Sequence, residues 1–308
     1  METEITARDH IDLHANQHPM EFFDKFETPE AYGLHLMHSA AYEEAARLVP
    51  AGRVLDLGCN NGYGSYKLSQ YGHEVIGVDV SAEALADAKR RFSAPNLEFR
   101  QVSGQELPFE SGSFDLITSF QVIEHIVDMD PYLNEIRRVL KPGGIVAFTT
   151  PNANIRLDPG MKPWNRFHVQ EFTARQLEMV LRPVFAEVKV RGLFADDEIY
   201  QTEFNRCQRA LRQARQAQRD AASAGAQPVH EPIRDGIAAV AKAVLPTRVV
   251  EFIRNRRDGG SPASVSGGGT TQRKLTQADQ ERLAAKPIFY RDSQLERSLD
   301  LMAVCRKG

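Results

Sequence analysis

No run of apolar residues in this 308-residue chain approaches the roughly 20 that a membrane-spanning helix needs. The N-terminal stretch METEITARDHIDLHANQ is polar and acidic, without the apolar segment of a secretory signal. Cysteine is scarce: Cys59, Cys207 and Cys305 are odd in number and far apart, which argues against a disulfide framework and against a zinc site. A reducing cytoplasm is therefore the expected location. No internal repeat is visible. What remains is an ordinary globular composition, with 42% hydrophobic and 26% charged residues.

The net charge of −3 hides an asymmetry. Residues 1–203 hold 31 acidic against 19 basic side chains, whereas residues 204–257 hold 11 basic against 4 acidic. An acidic body thus carries a basic segment late in the chain.

From Arg53 onward, short apolar runs alternate with helical stretches. VLDLG (54–58), EVIGVDVS (74–81), LEFRQVS (97–103), FDLITSF (114–120), GIVAFTTPN (144–152) and AEVKVRGL (186–193) read as strands. Helices are expected over 62–72, 82–92, 129–140 and 173–185, the third stopped by Lys141-Pro142-Gly143-Gly144. This alternation predicts a parallel, doubly wound α/β sheet. Beyond about Phe194 the rhythm fails. Residues 203–222 read as a polar helix with Arg206, Arg209, Arg212, Arg215 and Arg219 along it. Residues 232–257 read as a second helix, interrupted at Pro246, and Gly259 to Thr271 has the composition of a flexible linker. LERSLDLMAVCRK (295–307) reads as a short helix running into a last strand.

The turn after the first strand, Gly58-Cys59-Asn60-Asn61-Gly62, lies at the carboxyl edge of such a sheet, where ligands bind. Its backbone N–H groups and the following helix N-terminus are expected to face that ligand. A dinucleotide fingerprint requires G-x-G-x-x-G, and Asn60 stands where its second glycine belongs. Asp56, inside the strand, would repel a phosphate and attract an ammonium. Asp79 follows Gly58 by 21 residues, where a carboxylate can accept both hydroxyls of a ribose. An adenosyl group joined to an amino acid without phosphate is S-adenosylmethionine.

VLDLGCNNGYG, VIGVDVS, ELPFESGSFDLITSFQVIEHI and EIRRVLKPGGIVAFTTPN, in this order and spacing, resemble the class I S-adenosylmethionine-dependent methyltransferases over roughly residues 35–193. The resemblance implies a Rossmann-like sheet with a terminal antiparallel strand and a helical insertion before it. It assigns Asp56 and the turn residues Gly58, Cys59, Asn60 and Gly62 to the methionine end of the cofactor, and Asp79 with Val80 to the ribose. Ser103, Gly104 and Gln105 would border the adenine, and Phe120 and Gln121 would close over the sulfonium. Ser103 stands where relatives often carry an aspartate.

The candidates for assisting methyl transfer are Glu124, His125 and His168. Histidine suits proton removal because its ordinary pKa lies near 6.5. Gln121 to His125 also resembles an E-x-x-E-H motif that holds a divalent metal in ubiquinone-pathway and small-RNA methyltransferases. Gln121 replaces the first glutamate, which weakens the case, and no metal ligand is assigned, although Glu124, His125 and His168 could still form a partial site. NRFHVQEFTARQLEMVLRPVFAEVKVRGL resembles bacterial enzymes of surface-polysaccharide and glycolipid pathways, which implies O-methylation of a sugar hydroxyl. A quinone or secondary metabolite is the alternative acceptor. A further alternative is a non-catalytic cofactor-binding protein that contacts RNA or a partner.

These readings divide the chain into a cap segment (1–34), a methyltransferase core (35–194), a basic helical insertion (195–294) and closing elements (295–308). Within the insertion, LPTRVVEFIRNRR sets apolar residues beside arginines, so 232–257 is expected to touch the inner face of a membrane peripherally. The bland reading is a solvated appendage or a dimer contact. Few aromatics and an acidic body make nucleic acid the weaker partner.

Overall fold

The structure, a computed structural model, describes residues 26–102, 106–223 and 274–308. Ser103, Gly104 and Gln105, the 232–257 segment and the 259–271 linker lie outside the described residues.

Eight strands form one sheet in the order β3-β2-β1-β4-β5-β8-β6-β7. β1 (Arg53–Leu57), β2 (Glu74–Asp79), β3 (Leu97–Gln101), β4 (Phe114–Phe120) and β5 (Leu140–Pro151) are mutually parallel. β8 (Asp300–Arg306) runs antiparallel between β5 and β6 (Glu187–Ala195), and β7 (Ile288–Arg291) closes the edge antiparallel to β6. The chain winds outward from β1 in both directions, so the carboxyl ends of β1 and β4 flank the crevice of a doubly wound sheet. The inner strands are apolar on both faces because helices cover both. Val54 and Leu55, on opposite faces of β1, are both fully buried.

Local chemistry sets the helix ends. α2 (Tyr63–Gln70) starts at Gly62, whose φ of 80° places it in the left-handed region. α3 (Ala82–Arg91) is capped by Ser81, whose hydroxyl accepts from the Ala84 amide at 3.2 Å. α4 (Met129–Val139) buries Tyr132, Leu133 and Ile136 on one face. α5 (Ala153–Arg156) is a single turn, and α6 (Ala174–Leu181) opens with a reciprocal Thr173–Gln176 capping box.

Two features depart from the sequence expectation. The helix expected over 129–140 does stop before Lys141-Pro142-Gly143-Gly144, but the next strand, β5, begins at Leu140 rather than Gly144; its register with β4 shifts between the Phe114 and Leu116 pairings, so these four residues fall within the irregularity. The segment between β6 and β8 is not purely helical, since it supplies β7 as well as α7 (Asp197–Ser223) and α8 (Gln277–Ala284). A helix in the early segment, α1 (Pro29–Ala45), is capped by Thr28 and buries Met37, Ala41, Tyr42 and Ala45. Of the α7 arginines, Arg206 pairs with Glu203, Arg209 with Glu30, and Arg215 with Asp158. Among the described residues, no helix is long and apolar enough to cross a membrane.

Candidate functional site

A cleft of about 540 Å³ opens at the carboxyl edge of the parallel strands. Its wall includes Gly58, Cys59, Asn60, Asp79 and Val80 at one end, Phe120, Gln121, Glu124 and His125 in the middle, and His168 with Asp300 toward the other end. Asp56 and Gly62 stand back from that wall, for different reasons.

Asp56 does not reach the cleft. Its side chain shares the face of Val54, and the Tyr42 ring, which lines the cleft, lies over it. It is fully buried, and its carboxylate accepts from Ser65 Oγ at 2.6 Å, Thr118 Oγ1 at 2.8 Å and the Tyr42 hydroxyl at 3.3 Å. Burial pushes its pKa up to about 6, against the lowering effect of those hydroxyls. At Gly62 a Cβ would come within 2.5 Å of the Phe99 ring, so the glycine permits helix–sheet packing. The adenine-side residues 103–105 are outside the described residues.

The turn itself differs from the expected donor-rich cradle. The Gly58 and Cys59 amides both donate to the Val78 carbonyl, at 2.8 and 3.0 Å. The Asn60 amide donates to Asp79 Oδ2 at 2.8 Å, and the Gly62 amide to the Cys59 carbonyl at 2.9 Å. These four N–H groups are used inside the protein. Gly58 has φ 79°, and a Cβ would meet Val122 Cγ2 at 2.5 Å, so only glycine fits. Asn60 has φ 47°; asparagine tolerates this left-handed conformation, which is how it replaces the fingerprint glycine. Asp79 accepts the Asn60 and Ser81 amides, one on each oxygen, and a carboxylate has about four acceptor positions.

Beyond Phe120, Gln121 adopts φ 55°, an uncommon conformation for a residue with a side chain. Its side-chain amide donates through Nε2 to Asp300 Oδ2 at 2.9 Å. Asp300 is half-buried at the cleft wall, and desolvation raises its carboxyl to about 6. Glu124 is fully buried; Oε2 accepts from Thr150 Oγ1 at 3.0 Å, and Oε1 has no partner among the described residues. Burial lifts its pKa to about 8, so it is mostly protonated at neutral pH.

His125 and His168 pack edge to face with ring centres 4.9 Å apart. His125 Nδ1 lies 2.8 Å from the Phe167 carbonyl, which can only accept, so the proton is on Nδ1 and Nε2 is the acceptor nitrogen. His168 Nδ1 meets Glu171 Oε1 at 2.7 Å, and Asn165 Nδ2 meets His168 Nε2 at 2.9 Å. Glu124, His125 and His168 bring one ligand atom each to within 4.8 Å of one another, a spacing that suits a small divalent ion. Gln121, at the first position of the E-x-x-E-H motif, is directed to Asp300 and Thr149 instead.

Several wall residues were not anticipated from sequence: His38 from α1, Arg156, Trp164, Glu203 and Arg206 from α7, and Asp300. Only Asp300 carried a signal, as a lone acid heading the apolar strand LMAVC.

Comparison with known proteins adds to this geometry. A probable S-adenosylmethionine-dependent methyltransferase of Mycolicibacterium smegmatis is 35% identical over 49% of this chain and 58% of its own length. A similarly named protein of Mycobacterium tuberculosis is 36% identical over 51% of this chain and 57% of its own. A ubiquinone biosynthesis O-methyltransferase of Bordetella avium is 34% identical over 36% of this chain and 48% of its own. The chain thus spans about half the length of these relatives. Over residues 55–148, the stretch from β1 into β5 that builds the turn, Asp79 and His125, the chain matches the methyltransferase domain family.

Proposed function

We propose that this protein transfers the methyl group of S-adenosylmethionine to an oxygen of a small acceptor. One observation carries the reading: the amides of Gly58, Cys59, Asn60 and Gly62 are used internally, while the Asp79 carboxylate stands in the cleft wall beside them. A pyrophosphate brings only acceptors and finds no cradle there. A ribose diol and an ammonium bring donors, and they suit the Asp79 carboxylate and the turn carbonyls. Asp56, one layer behind the wall, adds a buried carboxylate held by the hydroxyls of Ser65, Thr118 and Tyr42. Val80, Val102 and Leu107 offer an apolar surface for the adenine.

When bound, the cofactor supplies an already activated methyl group. The chain's work is to align an acceptor hydroxyl and take its proton. His125 performs the second task through Nε2, its orientation held by the Phe167 carbonyl. Were a divalent ion used, Glu124, His125 and His168 would hold it, and it would lower the pKa of the acceptor hydroxyl.

The similarity to the ubiquinone biosynthesis O-methyltransferase of Bordetella avium supports a quinone-type acceptor, with a secondary metabolite as its variant. A sugar hydroxyl draws support from the far wall, where the Trp164 ring stands beside the Arg156–Glu171 and Arg206–Glu203 pairs. Methyl-labelled cofactor incubated with fractionated cell extracts tests both. Label in a small organic-soluble product supports the first, and label in a glycan fraction supports the second. No labelled product from any fraction favours a cofactor-binding protein without catalysis. Activity that persists after exhaustive chelation excludes a required metal.

A further inference from the structure

The stretch NRFHVQEF, residues 165–172, has a job for almost every residue. Val169 and Gln170 donate their amides to the Glu124 carbonyl at 2.8 and 3.3 Å, tying the stretch to the loop that carries His125. The Phe172 carbonyl accepts the Ala153 amide at 2.9 Å, and Phe172 bridges to Asn152, tying the other end to the end of β5. Asn165 shapes the turn between: its Oδ1 accepts the Phe167 amide at 3.1 Å, and its carbonyl accepts the His168 amide at 3.0 Å. The product of this geometry is the Phe167 carbonyl facing His125 Nδ1.

One buried ion pair sits beneath the stretch. Arg156 Nε and Nη2 meet Glu171 Oε2 and Oε1 at 2.8 and 3.0 Å, with side chains 5% and 0% exposed. The guanidinium lies 4.2 Å from the centre of the Trp164 ring, whose indole N–H donates to the Arg156 carbonyl at 3.1 Å. Glu171 also takes the Nδ1 side of His168, and His168 packs against His125. A buried pair of this kind is weak evidence for stability, since apolar residues often serve as well. Its strength is geometric, because a bidentate fork fixes both partners.

We infer that Arg156 and Glu171 are positioning residues for His125. They lock the 164–172 stretch so that the Phe167 carbonyl selects the Nδ1–H tautomer, with Nε2 as the acceptor nitrogen. His168 belongs to the same lock, since both of its ring nitrogens are engaged by Glu171 and Asn165. This rests on the reading of His125 as the proton acceptor.

The test uses the full chain with ¹⁵N-labelled histidine, read by long-range ¹H–¹⁵N correlation with and without S-adenosylhomocysteine. The His125 signals are assigned by their loss in His125→Asn. Wild type should show one His125 tautomer, protonated on Nδ1. Glu171→Gln, which removes the anion between Arg156 and His168, should give a mixture of both tautomers while S-adenosylhomocysteine affinity stays unchanged. Arg156→Lys keeps the charge and loses the fork, and it should give the same mixture, so the test stands if Glu171→Gln fails to fold. In any extract fraction that accepts label, both variants should lower kcat, by about 10²-fold for a displacement near 1 Å, with KM for the cofactor unchanged. A single Nδ1–H tautomer in a folded variant overturns the inference, as does an Nε2–H tautomer in wild type. Failure of wild type to bind S-adenosylhomocysteine contradicts the cofactor reading instead and leaves the tautomer readable in the unliganded protein.

Discussion

Gly64, in the first turn of α2, illustrates how much of the site is set by single residues. Its φ is unremarkable, yet a Cβ there would lie 1.9 Å from the Tyr42 ring. That ring also contacts Phe120 and offers its hydroxyl to Asp56. Gly64→Ala should therefore displace Tyr42 and cost about 1–3 kcal/mol, measured by denaturant unfolding. Glu124 predicts a pH dependence. Its carboxyl is held at about 8 in the fold against an ordinary 4.5, so the protonated form favours folding. Its contribution is complete below about 4.5 and is lost as pH rises through about 8. Glu124→Gln, similar in shape and uncharged, should stabilise the protein at pH 9 by a few kcal/mol and change little at pH 4, since a tenfold change in proton affinity is worth about 1.4 kcal/mol. Equal pH profiles of melting temperature for the two proteins would contradict this.

Legibility at this scale was uneven. Asp79, Gly58 and Asn60 could be placed because strand ends and left-handed turns leave residue signatures. Asp56 was read as a contact for the ammonium from its residue type; in the structure it is buried one layer behind the cleft wall, beneath Tyr42 and hydrogen-bonded to Ser65 and Thr118. Arg156, Trp164 and Arg206 were not visible, because they meet the cleft only through packing of α5, α7 and the 164–172 stretch.

Among elements, β1 to β4 were read to within two residues at each end, FDLITSF being β4 itself, because buried runs and period-two alternation are local signals, whereas β5 starts four residues before the expected Gly144. α1 was missed: its buried residues Met37, Ala41, Tyr42 and Ala45 are interleaved with His35, His38 and Ser39 in a stretch of no strong polarity. β7 is only Ile288–Arg291, too short to register as a pattern, and it exists because β6 has an edge to cover. β8 makes a sharper prediction. It lies between β5 and β6 and pairs with both along its length, with Leu301, Met302, Ala303 and Cys305 fully buried. Truncation after Leu299 should leave both neighbours with open edges and abolish cooperative unfolding, as followed by circular dichroism. A cooperative transition in the truncated chain would show that the parallel half folds without it.

For the molecule as a whole, the winding of the sheet decides where the cleft lies, and residues outside the matched domain complete its wall. The end with Gly58, Asn60 and Asp79 is built from 55–148, whereas α1, α7 and β8 add His38, Glu203, Arg206 and Asp300 to the wall. This division explains why the cofactor was legible and the acceptor was not: the former is read from a contiguous stretch, the latter from distant segments that converge only in three dimensions. The central claim is that the cleft takes a phosphate-free adenosyl amino acid through acceptors on the turn and Asp79. Isothermal titration calorimetry of the full chain with S-adenosylhomocysteine and with NAD, in wild type and Asp79→Ala, tests it most directly. Saturable binding of S-adenosylhomocysteine, no measurable binding of NAD, and at least a tenfold loss in Asp79→Ala, about 1.4 kcal/mol or more, are the predicted results. Tighter binding of NAD, or undiminished affinity in Asp79→Ala, would contradict the account.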